Sequence, residues 1–210
     1  MAELTLTDVL PAPADLRAVS PASHLAEAFA AAEVTGLRAV GLRELPFLAM
    51  VGLRVQLGTG AGERLTSALG ARLPGTCGGV SSSADSSVLW LAPDEFLVVS
   101  RLEPSALTQA LVVALHGEPG SAVDLSANRT TLELTGASAR DVLEKGCPLD
   151  LHPRSFAVGS GYVTSLGSVP VLLWKTGPQT YRLLVRSSFA DHLGRWLVDA
   201  MAEYQSPNLS

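Results

Sequence analysis

"LLWKTGPQTYRLLV" (residues 172–185) repeats in outline what "VLWLAPDEFLVV" (88–99) has already set out: an aliphatic pair followed by Trp, a turn containing Pro, an aromatic residue and a second hydrophobic run. Trp90 and Trp174, Pro93 and Pro178, and Phe96 and Tyr181 each stand about 85 residues apart, a half-chain offset of the kind that duplication produces. Each stretch reads as a hairpin, and in the later one Gly177 and Pro178 supply the turn. A chance recurrence around two ordinary hairpins is the alternative.

The flanks favour duplication. "RTTLELTG" (129–136) alternates, with Leu132 and Leu134 on one face and Arg129, Thr131 and Glu133 on the other, as a half-buried strand does. "SARDVLEKG" (138–146) follows as a helix, with Ser138 and Asp141 in capping-box spacing and Gly146 as a left-handed stop. After the later hairpin, Phe189, Leu193, Trp196, Leu197, Ala200 and Met201 form a helical apolar stripe. The earlier half has the same order: a strand in "PFLAMVGLRVQL", a helix in "GERLTSALG", the hairpin, and a helix in "PSALTQALVVALHG" that Gly117 ends.

The predicted fold class is therefore α+β, two similar β-α-β-β-α halves packed together with helices outside. Residues 1–40 form an N-terminal arm, 41–117 the first half, 118–205 the second and 206–210 a tail. In the arm, "SPASHLAEAFAAAE" (20–33) predicts a helix capped by Ser20 with Leu25, Ala28, Phe29 and Ala32 on one face, which either packs back or grips a partner. "HGEPGSAVDLSANR" (116–129) reads as the linker between halves, and "PGTCGGVSSSADSS" (74–87) as a loop.

Composition narrows the function. With 47% hydrophobic and 17% charged residues and a formal net charge of -5, the chain has the make-up of a globular protein and lacks the basic balance that nucleic acids or anionic membranes attract. Neither partner is expected. The N-terminus has no signal-peptide pattern, and no apolar run approaches the roughly 20 residues of a membrane span. Cys77 and Cys147 are expected as thiols in a reducing cytoplasm.

Motifs for chemistry are sparse. "VQLGTGAGERL" (55–65) sets a Gly-rich turn before a helix, yet Glu63 holds the position of the third glycine in a dinucleotide fingerprint. His24, His116, His152 and His192 are scattered without ligand spacing. Cys147 follows a helix stop rather than opening a helix, away from the electropositive surroundings that reactive cysteines need, and reads as a structural thiol. No catalytic, cofactor or metal residue is assigned in this chain. "CPLDLHPRSF" (147–156) reads as an extended segment with Asp150, His152 and Arg154 on one face. A binding surface and a solvated strand face both fit.

"VDLSANRTTLELTG" (123–136), "ARDVLEKGCPLDLHPRSF" (139–156) and "YRLLVRSSFADHLGRWLVDAM" (181–201) together resemble the gamma subunit of heterotetrameric sarcosine oxidase; "WLAPDEFLVV" (90–99) carries the resemblance in the first half. It implies a fold related to the folate-binding domain of aminomethyltransferases and a cytoplasmic complex with alpha, beta and delta subunits. Such complexes oxidise sarcosine with oxygen to glycine and hydrogen peroxide, passing the one-carbon unit to tetrahydrofolate as 5,10-methylenetetrahydrofolate or releasing formaldehyde. FAD, FMN, NAD, zinc and tetrahydrofolate are implied in the partner subunits, leaving this chain a structural, non-catalytic role. Arg129, Asp150, His152 and Arg154 are then candidate subunit-interface residues. The alternative is a free-standing folate-dependent aminomethyltransferase-like protein, with Asp150 as its functional carboxylate.

Overall fold

Ten strands and five α-helices follow one another in the computed structural model, which describes residues 18–205. The outer parts of the arm and tail, residues 1–17 and 206–210, lie outside the described residues. All pairings are antiparallel. One sheet contains, in spatial order, β1 (Gly41–Leu45), β7 (Arg129–Thr135), β10 (Thr180–Arg186), β9 (Val169–Gly177) and β8 (Gly161–Leu166). The other contains β6 (Gly120–Asp124), β2 (Ala49–Val55), β5 (Glu95–Ser100), β4 (Ser86–Ala92) and β3 (Val80–Ser82).

The two orders are identical once β1 is matched with β6, β2 with β7, and β3, β4 and β5 with β8, β9 and β10. Each half is therefore one strand longer at its front and one longer before its hairpin than the sequence pattern reads. The leading strands are exchanged: β1 pairs with β7 of the second half, and β6 with β2 of the first. The stretch read as a linker thus contains β6, and the stretch read as a loop contains β3. Both hairpins carry a register irregularity at their turn end, between Trp90 and Ala92 and between Thr180 and Tyr181.

Strand alternation sorts the buried side chains into three layers. On β2, β4 and β5, residues such as Val51, Leu53, Val88 and Phe96 face α2 (Gly60–Leu69) and α3 (Pro104–Leu115), which bury Leu65, Leu107 and Leu111 against them. On β7, β9 and β10, Leu132, Leu173, Tyr181 and Leu183 face α1 (Ala26–Ala31), α4 (Ala139–Glu144) and α5 (Ala190–Gln205). Between the sheets Met50, Leu89, Leu97, Leu172, Trp174 and Leu184 close a smaller core. Each fully buried Leu contributes about 1.5–3 kcal/mol by leaving water, so the helix-covered faces dominate stability.

Several local expectations change on inspection. Ser20 does not cap the arm helix; its hydroxyl donates to Glu44 at 2.6 Å, and a 3-10 turn over Ser23–Leu25 precedes α1. The arm packs back through Leu25, Phe29 and Ala32, whereas Ala28 is exposed. Ser138 precedes α4 without a side-chain cap bond. Gly146 is not left-handed: its lack of a side chain admits Trp196, whose ring would stand 2.8 Å from a Cβ there. Phe189 ends a 3-10 turn and is 39% exposed, and Ala190 takes its place in the buried stripe.

Candidate subunit interface

Asp150, His152 and Arg154 lie in the connection between α4 and β8, which forms a turn rather than an extended segment. Asp150 accounts for the difference. Its Oδ1 accepts the amide of His152 at 2.9 Å and its Oδ2 the hydroxyl of Ser155 at 2.5 Å, the side-chain geometry with which Asp replaces a backbone turn. These two bonds, that from Ser155 first, hold the carboxyl below its usual range. The amide of Arg154 reaches His152 Nδ1 at 3.2 Å. Leu151 and Phe156 on either side are buried, anchoring the turn, while Asp150, His152 and Arg154 remain exposed. The Asp150 carboxylate is thus occupied in shaping its own loop.

Arg129 is elsewhere. It opens β7, whereas Gly136, just past the end of that strand, lines the same small cavity as Pro153. A strand of this length runs roughly 20 Å, so the four candidates form two separate patches. Arg129 stands opposite Arg186 in the β7–β10 register. Both line a crevice of about 430 Å³ at one open end of the seam between the sheets, with Leu91, Leu97, Val163 and Phe189. Arg129 Nε is buried without a hydrogen-bond partner, and among the described residues neither arginine is in an ion pair. Burial, and next the charge of Arg186, hold the Arg129 guanidinium below the ordinary arginine range. Sequence reading found Arg129 but not Arg186, although Arg182, Leu184 and Arg186 alternate onto the same face.

The Gly-rich turn before α2 has its own tenants. Thr59 accepts the Gly62 amide at 3.3 Å, and the Glu118 carboxylate accepts the Ala61 amide at 3.2 Å. Arg64 from α2 in turn binds Glu118 at 2.6 Å and the carbonyls of Ala114 and Leu115 at 2.8 and 3.1 Å. A carboxylate thus takes up the positive end of α2 while a guanidinium takes up the negative end of α3. Among the described residues no three His, Cys, Asp or Glu side chains gather as a metal site requires, and no helix is long and apolar enough to cross a membrane. Cys77 is exposed and Cys147 half-buried, both free thiols.

Two antiparallel sheets of duplicated topology, covered by helices, define an α+β protein built of two like halves. The glycine cleavage system aminomethyltransferase T of Bartonella henselae is similar in structure at a TM-score of 0.58, over 83% of this chain and 48% of that one; at 18% identity the likeness shows the fold alone. The model of the sarcosine oxidase, gamma subunit family matches residues 60–203, and the chain belongs to that family. It is 48% identical to the sarcosine oxidase subunit gamma of Corynebacterium sp. strain U-96, over 91% of this chain and 93% of that protein. To the subunit gamma of Arthrobacter sp. it is 49% identical over the same shares. A chain of the heterotetrameric sarcosine oxidase from Corynebacterium sp. U-96, solved in complex with pyrrole 2-carboxylate, superposes at a TM-score of 0.88 over 92% of this chain and 99% of that one.

Proposed function

We propose that this chain is a non-catalytic structural subunit of a heterotetrameric sarcosine oxidase, built with alpha, beta and delta subunits in the cytoplasm. The assembly demethylates sarcosine oxidatively. Its amine is oxidised by two electrons, oxygen is reduced to hydrogen peroxide, and glycine is released as the one-carbon unit passes to tetrahydrofolate to give 5,10-methylenetetrahydrofolate. Without folate, water takes the carbon as formaldehyde. FAD, FMN, NAD, zinc and tetrahydrofolate belong to the partner subunits, while this chain holds the assembly together.

The observation that carries the reading is the match to gamma subunits along nearly the whole of both chains. Arg129 in its crevice, and separately the turn of Asp150, His152 and Arg154, are the proposed contact points.

Gel filtration of a native-host extract tests the reading, following this chain by antibody, flavin by absorbance and sarcosine-dependent peroxide by assay. Co-elution of all three in one large species is expected. Elution of the chain as a small, flavin-free species overturns the subunit role.

A further inference from the structure

The crevice holding Arg129 has a pseudo-equivalent, which provides an internal comparison. Matching Trp90 with Trp174 and Phe96 with Tyr181 places Leu48 where the second half has Arg129, and Arg101 where it has Arg186. Leu48 and Arg101 do line a crevice at the opposite end of the sheet seam, of only about 180 Å³. That crevice is filled from within. The Ser100 hydroxyl donates to the Asp85 carbonyl at 2.7 Å, Ser86 donates to Ser100 at 3.2 Å, and the Arg182 guanidinium lies 5.2 Å from the Trp174 ring centroid while binding Glu133 at 2.9 Å. Of the charges lining it, Arg182 is the one held inside and it is paired with Glu133, while Asp85 and Arg101 are exposed.

The Arg129 crevice differs in each respect. It is larger, its floor is Leu91, Leu97 and Leu172 rather than serine, and two guanidiniums face each other across neighbouring strands with no carboxylate in the lining. Like charges directly opposite in a sheet destabilise it, and a buried donor without an acceptor costs more than its bond returns. Both costs vanish if an anion sits between the arginines, where a planar guanidinium grips a carboxylate in two bonds. At the rim Val163 is 63% exposed and Phe189 39% exposed. A free small carboxylate leaves these two in water, whereas a chain segment covers them.

Resting on the proposed subunit role, we infer that the crevice formed by Arg129, Arg186, Val163 and Phe189 seats a segment of a partner subunit that presents a carboxylate beside an apolar side chain. The contact is an anchor of assembly, with the carboxylate between the arginines and the apolar group against Leu91 and Phe189.

The experiment uses the co-expressed complex. Arg129→Gln/Arg186→Gln is expected to cut the amount of chain co-purifying with the flavin-bearing subunits at least tenfold at moderate salt, Arg129→Lys/Arg186→Lys to keep most of it, and Arg101→Glu, in the filled crevice, to keep all. Amide exchange over 161–166 and 186–190 is expected to slow in the wild-type complex relative to the free chain. Wild-type recovery of the glutamine pair, or loss with Arg101→Glu as large as with that pair, overturns the inference. If the glutamine pair fails to accumulate, Arg186→Gln alone, at an exposed residue, decides by the same criterion. Failure of the wild-type chain itself to co-purify overturns the subunit role instead.

Discussion

A Cβ on Gly136 would stand 2.3 Å from the carbonyl oxygen of Ala39. The same oxygen accepts the amide of Ser138 at 3.0 Å, so the chain entering β1 is locked against the turn between β7 and α4. Gly136 has φ +115, where an L side chain is strained in addition to the clash. Gly136→Ala is expected to destabilise the fold by about 3 kcal/mol or more. Gly159→Ala serves as control, with φ +84 but open space around the added methyl, and should cost about 1 kcal/mol. Thermal melting of the co-expressed complex compares them; equal losses refute the close-approach account.

Glu133 is held between two arginines across neighbouring strands: Arg43 Nη2 at 2.5 Å from β1 and Arg182 Nε at 2.9 Å from β10. Burial, with 4% of the side chain exposed, pushes its carboxyl up; bonds and charges from Arg43 and Arg182 outweigh it and hold the group below the usual glutamate range. A depressed folded-state pKa contributes stability above the unfolded value of about 4.3, lost as pH falls through the folded one. Glu133→Gln should therefore cost about 2 kcal/mol at neutral pH, with the gap to wild type closing in acid. A gap constant from pH 7 to 3 counts against the ion-pair origin.

The hairpins were legible because Trp, Pro and the apolar runs sit where both local turn chemistry and burial act. The four missed strands share another property. β6, "GSAVD", has one half-buried and four exposed residues, and β3 is "VSS" at a sheet edge. Edge strands are fixed by backbone pairing more than by burial, so they leave little hydrophobic alternation to read. The strand exchange is likewise a matter of long-range pairing. The Asp150 turn was missed because alternating polar residues suggest a strand equally well. At the proposed interface, Arg129 was legible as a charge on a strand, but its conflict with Arg186 arises only from the β7–β10 register.

The exposed thiol of Cys77 and the half-buried Cys147, which packs against the second-half core, predict a two-phase reaction with a maleimide. Cys77 should be modified in the native state and Cys147 at least tenfold more slowly, since reaction there requires local opening. Mass spectrometry of timed aliquots from the folded complex identifies the sites; preferential labelling of Cys147 contradicts the burial described.

Gly194 sits in the middle of α5, where glycine costs about 1 kcal/mol relative to alanine. The arm explains its presence. A Cβ there would lie 2.6 Å from Leu25 Cδ1 and 3.0 Å from Phe29 Cζ, so the bare backbone is what lets the arm lie on the helix. Around this contact His24 meets Asp191 at 2.7 Å, Gln205 donates to the Ala31 carbonyl at 3.3 Å, and Arg38 lies 4.8 Å over the Tyr204 ring. The arm rests on the outer face of α5 through a few side chains, Leu25 and Phe29 foremost, and should open before the sheets do. Gly194→Leu is expected to expel it, accelerating proteolysis within residues 20–35 at least tenfold while exchange protection in β7 and β10 is retained. If cleavage there stays at the wild-type rate, the arm is not held by this close approach.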